Sequence, residues 1–151
     1  MLILCCGNLE RGDDAAGLLV GRRLRTLGVE VREHSGEALS LMEAWRGAED
    51  VMLVDAVVTG ARAGTVSVWD ARSAAFGGGR FRGSSHALGV AEAVELAQAL
   101  GCLPARLLVC GIEGREFAAG ASPSAAVLAG VEEAARRIYE NWSGGTAWIS
   151  E

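Results

Sequence analysis

The chain alternates between short unbroken apolar blocks and longer stretches whose apolar positions recur every three or four residues. Leu2-Ile3-Leu4-Cys5-Cys6, Val51-Met52-Leu53-Val54 and Leu107-Leu108-Val109-Cys110 are continuous blocks, the pattern of strands buried on both faces of a parallel sheet. Leu18, Leu19, Val20, Leu24 and Leu27 follow helical spacing up to a stop at Gly28. Leu39 to Trp45 predicts a short helix turned inward through Leu41, Met42 and Trp45, and Val90, Ala93, Val94, Ala97 and Leu100 form one stripe closed by Gly101. Ser122-Pro123 reads as an N-cap and first-turn proline. It opens a helix to about Trp142 with Val127, Leu128, Val131, Ala135 and Ile138 inward.

Weaker signals complete the pattern. Val29 to Arg32 alternates and is a candidate second strand. Gly60 and Gly64 mark a turn before Thr65 to Trp69, and the short connection predicts an antiparallel strand at the sheet edge. Residues 76–85, with three consecutive glycines and no periodicity, predict a flexible loop, and 143–151 predict a frayed tail. Strands alternating with helices along the whole length predict an α/β fold, a three-layer α/β/α sandwich around a mostly parallel sheet. No repeat or boundary divides residues 1–151, so a single domain is expected.

Composition narrows the function classes. A chain of 151 residues with a formal charge of −5 has no electrostatic basis for holding nucleic acid or an anionic membrane. No apolar stretch reaches the length of a membrane span, and the N-terminal block is too short for a signal peptide. The cysteines are Cys5, Cys6, Cys102 and Cys110. Cys5 and Cys6 are adjacent in a strand and point to opposite faces, which disfavours a shared metal, so buried reduced thiols in a cytoplasmic protein are expected.

The run Gly7-Asn8-Leu9-Glu10-Arg11-Gly12-Asp13-Asp14-Ala15-Ala16-Gly17 places two adjacent carboxylates between the first strand and the first helix, where ligands bind in open α/β sheets. A phosphate cradle is the rival reading, but the acids would occupy the helix N–H groups and repel an anion, and no lysine follows. On the plainest reading one acid, Asp13, serves as an N-cap; one cap does not need two acids, which leaves Asp14. Asp55 follows four apolar residues and so emerges at the carboxyl end of a strand, with a turn acid as the alternative. His86 precedes the Val90 helix at the same end of the sheet, whereas His34 follows an edge strand without acidic company. Asp14, Asp55 and His86 together offer two oxygens and one imidazole nitrogen, a half-shell suited to a borderline divalent ion such as nickel or zinc, with open positions for substrate. The same carboxylates alternatively hold a water as general base. No partnered serine or cysteine nucleophile and no His-Glu-x-x-His helix is visible.

These residues resemble the hydrogenase maturation endopeptidases, which trim the C-terminal extension from the large subunit of nickel-iron hydrogenases. The resemblance runs through Gly7-Asn8, Gly12-Asp13-Asp14-Ala15-Ala16-Gly17, Val54-Asp55-Ala56, Gly60, Gly64-Thr65, Ser84-Ser85-His86, Gly111-Ile112-Glu113 and Ser122-Pro123, in family order and spacing. It implies a five-stranded sheet and a cytoplasmic, aspartyl-type peptidase acting once on each nickel-loaded precursor, with the enzyme expected as a monomer. It also implies that Asp14, Asp55 and His86 recognise nickel carried by the substrate, with no tightly bound resident cofactor. Asp14 or Asp55 is then the candidate base, and Asn8 and Asp13 support or form the loop. Cys5 and Ala15 stand where relatives usually or often carry glycine, Gly114 where many carry proline, and Asp14 where some carry glutamate. The alternatives are a stand-alone divalent-metal peptidase or amidohydrolase, and a non-catalytic chaperone that checks the metal.

Overall fold

A computed structural model describes residues 1–73 and 89–144. Ser84, Ser85, His86, the 76–85 segment and the tail beyond Gly144 lie outside the described residues. Five strands form one sheet: β1 (Leu2–Cys6), β2 (Arg32–His34), β3 (Asp50–Val57), β4 (Val66–Asp70) and β5 (Arg106–Glu113), in the order β2-β1-β3-β5-β4. All neighbours are parallel except β4 and β5. The helices are α1 (Ala16–Thr26), α2 (Ala38–Ala44), α3 (Val90–Ala99) and α4 (Ala125–Gly144), and a single 3-10 turn (Gly12–Ala15) precedes α1.

The unbroken apolar blocks form strands because both faces of the sheet are covered. On one face Ile3, Cys5, Met52, Val54, Leu108, Cys110 and Ile112 pack with α1 and α4 residues such as Val20, Leu24, Val131 and Ile138. On the other, Leu4, Cys6, Leu53, Leu107 and Val109 pack with Leu41 and Trp45 of α2 and with Val90, Val94 and Ala97 of α3. The alternation of Cys5 and Cys6 between these cores is the two-residue side-chain period of a strand.

Two boundaries and two inward positions depart from the sequence reading. The second strand is Arg32–His34, because Val29 and Val31 are spent packing into the α1 core before the ladder with β1 begins. The last helix starts at Ala125 and not at Pro123. Ser124, its backbone N–H held by the Asp13 carboxylate at 2.8 Å, caps it by accepting from Val127 N–H at 3.3 Å. Leu100 and Leu128 face outward, at 65% and 46% exposure, and the core contacts expected of them fall to neighbouring positions. Cys102 is exposed, while Cys5, Cys6 and Cys110 are buried; all four are free thiols.

Candidate active site

The connection from β1 leads through α1 to β2 on one side, while β3 lies on the other, so the strand order reverses between β1 and β3. A crevice opens at such a switch point beyond the carboxyl ends of the strands. The turn carrying Asp13 and Asp14 sits here because glycine permits two close approaches. Gly7 has φ +147, and a Cβ on it would run into the Asp14 carbonyl oxygen. A Cβ on Gly17 would meet the carbonyl oxygens of Cys6 and Val54, so the start of α1 lies directly on the ends of β1 and β3. Asn8 shapes the preceding loop: its Oδ1 accepts from Glu10 N–H at 2.9 Å, and its own N–H donates to the Asp14 carbonyl at 3.2 Å.

Asp13 and Asp14 are both fully buried but are used differently. Asp13 caps neither the 3-10 turn nor α1; it sits inside the turn. Its carboxylate accepts backbone N–H groups from Arg115 (2.8 Å), Glu116 (2.9 Å) and Ser124 (2.8 Å), clasping the β5–α4 connection to the first loop. Burial penalises its charge, yet the N–H donors from Glu116, Ser124 and Arg115 together hold its carboxyl below the usual range. The N-cap reading of Asp13 is therefore corrected. The groups that needed an acceptor belong to a distant loop, not to the helix that follows.

Asp55 lies within β3 rather than beyond it, because pairing with β5 continues to Val57. Its side chain is 4% exposed and shares the α2–α3 face with Leu53. Burial pushes its carboxyl up to about 8, the charge of nearby Asp14 adds to the rise, and a 2.8 Å bond from Ala56 N–H opposes it. Asp14 and Asp55 thus interact across the switch point. The β1–β3 register pairs Cys5 with Val54, and one step further it sets Cys6 beside Asp55. Burial raises the Cys6 thiol well above its ordinary value, and the charges of Asp55 and Asp14 push it the same way. Cys6 remains a thiol and donates toward the Leu4 carbonyl at 3.8 Å.

A buried pair of acids that favours one proton is chemically poised: an arriving cation removes the mutual repulsion and releases the proton. Among the described residues no group of three His, Cys, Asp or Glu side chains is set to hold a metal ion unaided. His86 stands four positions before the first residue of α3, and its geometry lies outside the described residues. His34 ends edge strand β2 in register with Cys6, so it stands in the same cross-sheet row as Asp55 but two strands away, with Nδ1 accepting from Gly36 N–H at 2.9 Å.

A family model described as hydrogenase maturation protease matches residues 27–141. The chain belongs to this family. Among solved structures it is similar to the [NiFe] hydrogenase maturation protease HybD from Thermococcus kodakarensis, with 27% identity, a TM-score of 0.67 and coverage of 93% of this chain and 97% of that one. It shares its fold with hydrogenase maturating endopeptidase HybD from E. coli, at 20% identity, TM-score 0.73 and coverage of 95% and 93% of the two chains. A curated relative, Protein FrxA of Pyrococcus furiosus, is 40% identical over 47 residues, a match spanning 31% of this chain and only about a third (34%) of that protein.

Two features of this family member had no assigned role in the sequence reading. Glu113, 2% exposed at the end of β5, accepts from Thr59 N–H (2.8 Å), Thr59 Oγ1 (2.7 Å) and Gly60 N–H (3.1 Å), and so fixes the loop that leaves β3 just after Asp55. Cys6 faces the acid pair. The family-like Gly111-Ile112-Glu113 run marked the first position without revealing its partner; for Cys6 the only available signal was its register beside Asp55, which needs the strand pairing.

Proposed function

We propose that this chain is the endopeptidase that removes the C-terminal extension of a nickel-iron hydrogenase large-subunit precursor after nickel insertion. It recognises the nickel held by the substrate through Asp14, Asp55 and His86, works as a cytoplasmic monomer and needs no resident metal. The observation that carries the reading is the buried Asp14–Asp55 interaction at the switch point, where Asp55 keeps its proton up to about pH 8. Two carboxylates and an imidazole are a donor set suited to a borderline divalent ion. Among the described residues no helix is long and apolar enough to cross a membrane.

Peptide hydrolysis requires water oxygen to add to the carbonyl carbon, the C–N bond to break, and the departing nitrogen to take up a proton. With its proton released as the ion arrives, the pair serves as base: it takes a proton from the attacking water and passes that proton to the departing nitrogen within one site. The substrate's ion, held against that pair, polarises the carbonyl or the water. Thr59 and Gly60, locked onto Glu113, keep the exit of β3 rigid beside the reacting groups.

The test is incubation of the purified chain with nickel-loaded and nickel-free precursor, followed by intact-mass spectrometry. Loss of the extension from the loaded precursor alone is the expected result. A stoichiometric metal retained by the enzyme itself, with cleavage of unrelated small peptides, favours the stand-alone metallohydrolase. Stable binding of loaded precursor without truncation favours the metal-checking chaperone.

A further inference from the structure

A groove lies along β4 and reaches to α4. It encloses about 600 Å³ and is lined by Thr59, Gly60, Ala61, by Val66 to Trp69, and by Arg137 of α4. β4 is the sheet's edge, and its hydrogen-bonding parity is fixed at both ends. Glu113 N–H bonds the Thr65 carbonyl at 2.9 Å, and Ala71 N–H bonds the Leu107 carbonyl at 2.8 Å. In the antiparallel register the odd-numbered residues therefore pair with β5, and Val66, Val68 and Asp70 turn outward, the Asp70 carbonyl accepting from Ser73 N–H at 3.0 Å. Edge strands are usually blunted by charge, proline or a bulge. β4 carries no proline, its single charge, Asp70, stands at its last position, and among the described residues no strand flanks it.

Arg137 marks the groove's upper end, where its Nη1 donates to the outward carbonyl of Val66 at 3.3 Å. Its neighbour Arg136 is bracketed by Glu133 at 2.7 Å and Glu140 at 2.9 Å, whereas Arg137 makes no ion pair with the described residues. The row Asp55–Gly111–Ser67 crosses the sheet, so a strand added beyond β4 lies three strand spacings, about 14 Å, from Asp55. Extended chain covers that distance in about four to five residues.

We infer that the open edge of β4 takes up an extended segment of the precursor polypeptide as an added strand, with Arg137 binding a carboxylate of that segment about four to five residues from the bond cleaved. The inference rests on the peptidase reading above. Main-chain bonds to both groups of Val68 and to the N–H groups of Val66 and Asp70 supply affinity without regard to sequence, and the guanidinium supplies the charge preference. The edge is thus a reader of the substrate's backbone, separate from the carboxylates that meet its metal.

The test compares wild type, Arg137→Gln and Arg137→Glu on nickel-loaded precursor. The expected result is a KM raised about tenfold for the first and more for the second, with kcat little changed. Replacing the contacted substrate acid by lysine is expected to restore KM for Arg137→Glu alone. Amide hydrogen exchange of the wild-type enzyme, independent of any variant's folding, is expected to slow across Val66–Asp70 when precursor is added. Unchanged KM in both variants together with unchanged exchange on β4 overturns the edge-binding inference while wild-type trimming keeps the peptidase reading. Absence of trimming by the wild type overturns both.

Discussion

Asp13 and Asp55 are both buried carboxylates at one rim of one sheet, and their surroundings push them in opposite directions. Asp13 collects three backbone N–H groups from a loop more than a hundred residues away, which outweigh its burial and keep it charged. Asp55 receives one N–H, from the residue after it, and faces the charge of Asp14. A carboxylate saturated by backbone donors has no capacity left for a ligand; its free energy is committed to holding loops together. A carboxylate given one donor and an acidic neighbour is costly in isolation and gains most when a cation arrives. The contrast separates scaffold from chemistry more clearly than burial does, since burial is nearly identical in the two cases.

The largest expected effect is on activity. Asp14→Asn, Asp55→Asn and His86→Ala each lower precursor processing by about a thousandfold or more, with circular dichroism unchanged, whereas near-normal trimming by any of them breaks the division of labour.

The second effect is on pH dependence. Asp55 has a folded value of about 8 against an ordinary 3.8, so between those values the folded chain holds a proton that the unfolded chain has released. Its contribution to stability is therefore intact below about pH 4 and is lost as pH rises through 8. Urea unfolding of Asp55→Asn against wild type shows an advantage for the variant that grows across this window to several kcal/mol. Asp13 runs the other way. Its lowered value means that its contribution is present above the ordinary carboxylate range and is lost as pH falls through the folded value.

Asp13→Ala leaves three inward N–H groups without their acceptor and costs about 3 kcal/mol, seen as a melting temperature lower by roughly 6 to 12 °C. Because the lost contacts are those of a clasp, processing at low temperature survives better than in Asp14→Asn. The smallest effect is that of Glu113→Gln, which weakens the hold on Thr59 and Gly60 by about 1 to 2 kcal/mol and raises exchange in that loop. A larger activity loss than that of Asp55→Asn would move Glu113 into the reacting set.

Much of the architecture was legible because it rests on local pattern. β1, β3 and β5 are unbroken apolar blocks, α3 has a clean stripe ending at Gly101, and the glycine turn before Thr65 announced the antiparallel edge. β2 was displaced because a three-residue edge strand leaves almost no pattern, and the more apolar Val29 and Val31 next to it belong to the α1 core. The start of α4 was misread because the deciding partner, Asp13, lies 111 residues from Ser124. The same distance explains the cap reading of Asp13 itself. Spacing put two acids at the right end of the sheet, but which one is saturated depends on a loop that folds back from the far half of the chain. The role of Glu113 was hidden for a similar reason, since its donors sit 53 and 54 residues away across β3 and β5.

The most direct test of the central contrast is a titration of the individual aspartate side-chain carboxyls by carbon-13 NMR, assigned with Asp13→Asn and Asp55→Asn. The account predicts a midpoint below the ordinary carboxylate value for Asp13 and one near 8 for Asp55, with an added divalent cation lowering the Asp55 midpoint and leaving Asp13 unmoved. Ordinary midpoints near 4 for both, insensitive to the cation, would contradict it.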